Sequence, residues 1–390
     1  MSTRVVDVDL PDRAYEVRIG RGVLGEVPEH ARGLLGEKAE RVLVVRDTGV
    51  PQRFADELVQ GLRDAGFAAR VCDLTPSEAV KRVETVERLL IEAVRFGLTR
   101  VDAVISLGGG VVCDIAGFVA ASYQRGIAVV QCPSTLLSMV DASVGGKTGV
   151  NLLVDGELYK NMVGAFHQPT MVVADTALLD SLDARQRRCG LAECVKHAMI
   201  CQSVPDEDET HAGLLGWMQA RLGAISAFDR ETIDELVERN VALKASVVAG
   251  DERESPEART GGRMLLNFGH TFGHAIETLD GVRAGDEPGL FHGEAVGLGM
   301  CCACAAAVSL GLCDDSVGAS LRAMLDAVGL PTRVEGLPGS DVIVERMGHD
   351  KKAAGGSLRV ILPEGLGRCS IVTDADIGAI GAGVGVIRAD

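Results

Sequence analysis

Short runs of β-branched and apolar residues recur along the first 180 positions, at Val42–Val45, Ala69–Cys72, Ala103–Leu107, Ala128–Cys132 and Met171–Val173. Between several of them, over Pro51–Gly66 and Ser77–Phe96, apolar residues return every three or four positions, the period of an amphipathic helix. Strands alternating with helices predict a mostly parallel sheet with binding loops at its C-terminal edge. The opening segment Val5–Ile19 alternates polar and apolar positions, as an antiparallel hairpin or a pair of edge strands does. From about Leu182 onward the period is helical nearly throughout, interrupted by polar loops at Pro205–Thr210, Ser255–Gly262 and Gly281–Gly289. The pattern predicts an α/β domain over residues 1–180 and an all-α domain over 181–390. An active site is expected in the cleft between the halves, where pockets form preferentially. No internal repeat and no low-complexity tail is visible.

The stretch Ala295–Cys313 has no charged residue, and its length approaches that of a membrane span. Ala, Gly and Cys dominate it, and His292 and Glu294 abut it, so a buried helix is the expected form. Its Cys301, Cys302 and Cys304 match no zinc spacing and read as small residues on a tightly packed helix.

Apolar residues make up 47% of the 390 and charged residues 24%, which places the chain among soluble globular proteins. Aromatic residues are only 3% against 48 glycines, so the core is aliphatic and many backbone positions are tight. Lys and Arg total 39 against 55 Asp and Glu, a net charge of −16. That balance argues against nucleic acid and anionic membranes as partners and requires any bound anion to be caught by a local positive cluster. Eleven Cys, an odd number at irregular spacing with no signal peptide before them, read as reduced thiols of a cytoplasmic protein.

Four segments carry candidate chemistry. Gly108-Gly109-Gly110-Val111-Val112-Cys113-Asp114 follows the strand Ala103–Leu107 directly. Glycines at a strand-to-helix turn let a ligand approach the backbone, and the helix N-terminus favours phosphate. The second is Pro133–Leu137 followed by Asp141–Asn151, where a Gly-Gly-Lys-Thr run suggests Lys147 held against an anion by a flexible glycine loop. It is no P-loop, because position 141, where the first glycine would stand, is Asp. The third is His270 and His274, four residues apart, which share a polar helix face with Glu277, opposite Phe268, Phe272, Ala275, Ile276 and Leu279. Glu193, Lys196 and His197 share a face of another helix, opposite Leu191 and Val195, and His292-Gly293-Glu294 opens the uncharged helix. A carboxylate with two or three imidazoles is a set used for catalytic Zn²⁺, though spacing does not say which His is a ligand. The fourth is scattered cations, Lys147, Lys160, Lys196, Lys244, Arg263 and Asp350-Lys351-Lys352, which point to a substrate bearing phosphate and carboxylate.

Taken in order, these segments resemble 3-dehydroquinate synthases of the sugar phosphate cyclase superfamily, from about Val42 to Arg368. The matching stretches are Gly108–Asp114, Tyr123-Gln124-Arg125-Gly126, Pro133–Asn151, Lys160–Phe166, Gly190–Lys196, Asp251–Glu254, Leu265–Glu277, His292–Met300 and Asp350–Lys352. The resemblance implies a Rossmann-like NAD⁺ domain, then an α-helical metal-binding domain, usually in a homodimer. It implies a phosphorylated sugar acid as substrate, 3-deoxy-D-arabino-heptulosonate 7-phosphate, which becomes 3-dehydroquinate and phosphate in the shikimate pathway to chorismate and the aromatic amino acids. The substrate would lose a hydride to NAD⁺, eliminate phosphate, regain the hydride, open its ring and close a carbocycle by an aldol step.

By position, the resemblance assigns Glu193, His270 and His292 as ligands of Zn²⁺ or Co²⁺, with His274 as a substrate contact and proton shuttle. Lys147, Asn161, Lys196 and, across the dimer interface, Arg125 are implied for substrate phosphate. Lys244, Arg263 and Lys351 are implied for the carboxylate, with Lys352 as a substitute for Lys351. Asn267 and Asp141 would bind nearby oxygens, and Glu254 would accept a proton. Implied NAD⁺ contacts are Asp47, Glu78, Lys81, Gly109, Gly110, Asp114, Ser134, Thr135 and Lys160.

The chain departs from the family pattern at Cys113, in place of Gly, and at Ser134, in place of Thr. Pro76–Lys81 lacks the usual Gly and Gln, and extra residues lie in Leu152–Tyr159 and between Glu254 and Arg263. Relatives acting on sedoheptulose 7-phosphate or glucose 6-phosphate do not need Lys244, Arg263 and Lys351 together, since an unpaired buried cation is costly. An aminated analogue keeps the carboxylate and fits the same residues. A metal-dependent polyol dehydrogenase would consume NAD⁺ stoichiometrically and would not need Lys147, Lys196 and Arg125. A metabolite sensor that kept the pocket is the non-catalytic alternative.

Overall fold

The computed structural model describes residues 3–11, 13–205, 211–255, 262–285, 289–353 and 358–389, with side chains for all of these except Glu157 and residues 348–353. The chain divides into two compact units, Met1–Asp183 and Ala184–Asp390.

The first unit is built on strands β1 (Arg4–Val8), β2 (Tyr15–Gly20), β3 (Arg41–Asp47), β4 (Ala68–Leu74), β5 (Ala103–Gly108) and β6 (Ala128–Pro133). A two-stranded ribbon, β7 (Lys147–Val154) and β8 (Glu157–Phe166), precedes the last sheet strand, β9 (Met171–Asp175). The sheet order is β1-β2-β9-β6-β5-β3-β4, antiparallel only between β1 and β2. Every residue of β5 and β9 is buried, which is why these strands read as continuous apolar runs rather than alternating ones. Helices Val83–Phe96 and Gly110–Ser122 close one core with β3, β5 and β6 through Leu43, Leu89, Ile115, Val119 and Val129.

Two local expectations are corrected here. The helix expected from Ser77 starts only at Val83; Ser77–Arg82 is a tight turn, closed by Lys81 N–H and Val80 N–H bonds to the Ser77 carbonyl. The glycine segment around Lys147 is not a flexible loop. Gly145 and Gly146 turn at φ 92° and 66° directly into β7, and the extra residues of Leu152–Tyr159 extend the ribbon.

The second unit is helical, with Ala184–Ile200, Arg230–Gly250, His270–Glu277, His292–Ser309, Asp315–Ala327 and Ser340–Ala353 as its main helices. It also holds an antiparallel hairpin, β10 (Arg359–Gly365) and β11 (Arg368–Thr373), so the domain is not purely α. The sequence places Pro363 and two glycines in that stretch, and no alternation marks the strands. The helix His292–Ser309, uncharged after Glu294, is buried along most of its length, with Ala295, Val296, Leu298, Met300, Cys301 and Ala303 fully covered. All eleven cysteines are free, and burial pushes the Cys113, Cys189 and Cys301 thiols up to about 12, so they pack as inert apolar groups. The expected loops coincide in part with 206–210, 256–261 and 286–288, which lie outside the described residues.

Candidate active site

Three helices of the second unit each bring one candidate ligand to a common point. Glu193 lies in Ala184–Ile200 and is fully buried; His270 and His292 are the first residues of their helices. One ligand atom from each lies within 4.8 Å of the others. Glu193 Oε1 is 3.7 Å from Nε2 of both His270 and His292. That is too long for a hydrogen bond. It is slightly longer than the spacing of ligand atoms around one tetrahedral zinc, about 3.3–3.6 Å, so a small inward shift would seat an ion. Glu193 Oε1 is buried with no hydrogen-bond partner among the described residues, while Oε2 is ion-paired with Lys196 Nζ. A buried carboxylate oxygen with no donor is costly, and a cation between it and the two imidazoles removes that cost.

The outer contacts aim the rings. His270 Nδ1 is 3.3 Å from the Phe268 carbonyl, and His292 Nδ1 is 3.4 Å from Glu277 Oε2. Both leave Nε2 towards Glu193, the arrangement that metal-ligating histidines adopt. His274 is exposed, its ring 5.4 Å from His270 and 5.9 Å from His292. With Glu277 and His292 it forms a second possible ligand set, but that set lacks the buried, donorless oxygen of Glu193.

Glycine makes the convergence possible. A β-carbon on Gly293 would stand 2.2 Å from the Cys189 carbonyl oxygen, and one on Gly299 would stand 2.0 Å from that of Gly269. These backbone contacts bring the His292 helix against both of the others. The helix with Glu193 is buried on every side from Cys189 to Ile200, so the expected polar face with Leu191 and Val195 opposite is instead an interior polar stripe.

Three cations are buried in the same unit, and one of them, Lys196, is ion-paired with Glu193. Lys196, Lys244 and Arg263 are 1%, 4% and 2% exposed in an acidic protein. Arg263 Nη1 donates to the Glu252 carbonyl at 2.7 Å, and its N–H to Asp251 Oδ2 at 3.1 Å. Asn267 Nδ2 donates to Glu254 Oε1 at 3.0 Å, and Glu254 holds a left-handed φ of 55°. His197, also buried, has Nδ1 3.0 Å from Asn240 Oδ1. The side chains of Lys351 and Lys352 lie outside the described residues.

The first unit gathers most of the other candidates at strand ends. Asp47 ends β3, where burial raises its carboxyl above the usual value against the lowering effect of Gly49 and Gly109 N–H groups. It thereby orders the turn into the helix Gly110–Ser122. Ser134 N–H bonds to the Gly108 carbonyl at 2.8 Å, and the Thr135 hydroxyl meets Ser138 at 2.8 Å. Asp141 lies in a π turn, Ser138–Ala142, a distortion common at functional sites. Lys81 Nζ lies 2.5 Å from Asp114 Oδ2 and 2.6 Å from Asn161 Oδ1.

The ribbon's ladder breaks where Asn151 faces Lys160, Asn161 and Met162 together, between the pairs Val150–Val163 and Leu152–Tyr159. Bulges of this kind re-aim side chains next to active sites. Asn161 sits at φ 56°, held by a bond from its N–H to Asn151 Oδ1 at 2.9 Å. Asn151 Nδ2 donates to Glu78 Oε2 at 2.7 Å, and its N–H to the Lys81 carbonyl at 2.7 Å. Lys147 is exposed at the start of β7, Lys160 is half-buried on β8, and Arg125 is exposed in a left-handed turn at φ 70°.

Family models for the N-terminal and C-terminal domains of 3-dehydroquinate synthase match residues 71–189 and 190–353. The chain belongs to the 3-dehydroquinate synthase family. It is 39% identical over 383 residues to the 3-dehydroquinate synthase of Caulobacter vibrioides, covering 97% of both chains. Among solved structures it is similar to 2-epi-5-epi-valiolone synthase of Streptomyces hygroscopicus subsp. jinggangensis, with NAD⁺ and Zn²⁺ bound, at 26% identity. That match has a TM-score of 0.80 and covers 98% of this chain and 99% of the other. A 2-deoxy-scyllo-inosose synthase complexed with carbaglucose-6-phosphate, NAD⁺ and Co²⁺ shares the fold at TM-score 0.80 and 23% identity, over 98% and 99% of the two chains. This chain is therefore a lyase-type enzyme of the 3-dehydroquinate synthase family, with an α/β N-terminal domain and a helical C-terminal one.

Residues outside the sequence-derived set complete the site. Asn151 was visible only as the end of a glycine segment, and nothing in its spacing announces that it joins Glu78 to Asn161. Glu277 stood on the polar face with His274, and its contact with His292 depends on a helix crossing that spacing does not encode.

Proposed function

We propose that the chain converts 3-deoxy-D-arabino-heptulosonate 7-phosphate to 3-dehydroquinate and inorganic phosphate, as a cytoplasmic homodimer. The observation that carries the substrate assignment is the burial of Lys196, Lys244 and Arg263 in the unit that holds the carboxylate–imidazole cluster, since interior cations of this number suit a polyanionic ligand. NAD⁺ supplies a hydride acceptor and donor, and Zn²⁺, or Co²⁺ in its place, supplies Lewis-acid polarisation of the hydroxyl.

Glu193, His270 and His292 hold the ion. Asp47, Glu78, Lys81, Gly109, Gly110, Asp114, Ser134, Thr135 and Lys160 would hold the dinucleotide, and the N–H groups at the start of the helix Gly110–Ser122 would suit its phosphates. Lys147, Asn161 and Lys196 bind the substrate phosphate, joined by Arg125 of the partner subunit. Arg125 lies beyond the far end of a 13-residue helix from Gly110, a span of about 20 Å at 1.5 Å per residue. That placement supports a role in a second copy's site. Leu153, Val154, Leu158, Tyr159 and Met162, all exposed on the ribbon, give such a copy an apolar surface to cover.

Lys244 and Arg263, with Lys351, bind the carboxylate, and Asn267 and Asp141 bind hydroxyl oxygens. The Asn267 amide bond orients the Glu254 carboxylate to accept a proton. His274, exposed beside both ligand imidazoles, moves a proton between substrate and solvent.

The test is phosphate release measured side by side from 3-deoxy-D-arabino-heptulosonate 7-phosphate, its aminated analogue, sedoheptulose 7-phosphate and glucose 6-phosphate. Fastest release from the first supports the assignment. Preference for a substrate without a carboxylate contradicts it.

A further inference from the structure

His292 is the first residue of its helix, where the backbone N–H makes no intrahelical bond, so this ligand stands where helices hold least firmly. The structure compensates at Glu294. Its Oε2 accepts the N–H of Phe291 at 2.8 Å, closing the first turn. The same carboxylate receives Arg185 in a two-pronged bond, Nε to Oε1 at 2.7 Å and Nη2 to Oε2 at 2.7 Å. The Arg185 guanidinium also lies 4.0 Å from the centre of the Phe291 ring and donates to the Gly289 carbonyl at 2.8 Å. Arg185 belongs to the helix that carries Glu193, and both partners are largely buried, at 10% and 7% exposure. A buried fork of this kind fixes orientation as well as distance.

We propose that Arg185 and Glu294 are positioning residues of the metal centre. They lock the first turn of the His292 helix to the Glu193 helix, so that His292 Nε2 faces Glu193 Oε1 before an ion arrives. Neither touches substrate or ion. The inference rests on the reading of Glu193, His270 and His292 as the ligands.

The experiment measures Zn²⁺ affinity by competition with a chromophoric chelator on the full-length apoprotein, for the parent, Arg185→Met, Arg185→Lys, Glu294→Gln, the Met/Gln double variant and Glu193→Gln. Removing an outer partner of a metal ligand weakens metal binding by about 10–100-fold. That loss is expected for Arg185→Met and for Glu294→Gln, with no further loss in the double variant and an intermediate one in Arg185→Lys. Saturating Zn²⁺ should restore turnover in each of these four, which a purely structural defect would not allow. Parent-like affinity in Arg185→Met while Glu193→Gln loses the ion overturns the clamp alone. If Glu193→Gln also keeps the ion, the ligand reading falls with it. Should Arg185→Met fail to fold, the near-isosteric Glu294→Gln carries the same test.

Discussion

In the second unit, three helices are pressed together at Gly293 and Gly299 until Glu193, His270 and His292 stand within 4.8 Å of one another. In the first, Lys81, Asp114, Asn151 and Asn161 meet on a turn, a helix start and a bulged ribbon, held by side-chain hydrogen bonds of 2.5–2.9 Å. On the proposed reading, the difference follows from what each unit would bind. An ion needs a few hard donors fixed to a few tenths of an ångström, which rigid helices deliver. A dinucleotide or a phosphate needs many donors along an extended surface, which strand ends and turns deliver.

The comparison breaks first at the metal ligands. Glu193→Gln should lose the ion and lower turnover by at least about 10³-fold, since Lewis-acid help is worth several kcal/mol. NAD⁺ affinity, read by fluorescence titration, should stay at the parent value because the residues proposed to hold it belong to the other unit; a parallel loss would show that the two sites are not separable. Arg263→Ala should lower kcat/KM for the carboxylated substrate by about 10–150-fold, from a charge-assisted contact of about 1.5–3 kcal/mol. Equal loss on sedoheptulose 7-phosphate would remove its carboxylate role. Gly293→Ala should cost about 1–3 kcal/mol in chemical denaturation, because the new methyl meets the Cys189 carbonyl rather than a movable side chain.

The smallest effect sharpens the picture of the first unit's frame. Asp102 is buried, which works to raise its carboxyl, yet bonds from the N–H groups of Arg41, Thr99 and Glu40 and from the Thr99 hydroxyl hold it below the usual value. A depressed folded value means its stabilisation is present at neutral pH and fades as pH falls below the ordinary carboxylate range. Asp102→Asn should therefore cost about 1 kcal/mol at pH 7. The gap should close below about pH 4. A gap that widens in acid would contradict that sign.

Continuous β-branched runs such as Val42–Val45 and Ala103–Leu107 were legible as strands because both sheet faces are buried, leaving no alternation to obscure them. The ribbon was not, because a break in the ladder at Asn151 and three glycines interrupt its period. The His270/His274 pair was legible as a polar helix face, but helical spacing ranks the two alike. Only the crossing with the His292 helix leaves His274 exposed and turns His270 towards Glu193. Arg185 was invisible for a similar reason, since Arg185-Gln186-Arg187-Arg188 reads as a solvated run until Glu294 meets it.

The most direct test of the whole account counts phosphate released per NAD⁺, using substoichiometric NAD⁺, Zn²⁺ and 3-deoxy-D-arabino-heptulosonate 7-phosphate, with and without a chelator. Many turnovers per NAD⁺, yielding 3-dehydroquinate and abolished by chelation, is the predicted result. Stoichiometric NADH without phosphate, as a dehydrogenase would give, would contradict it.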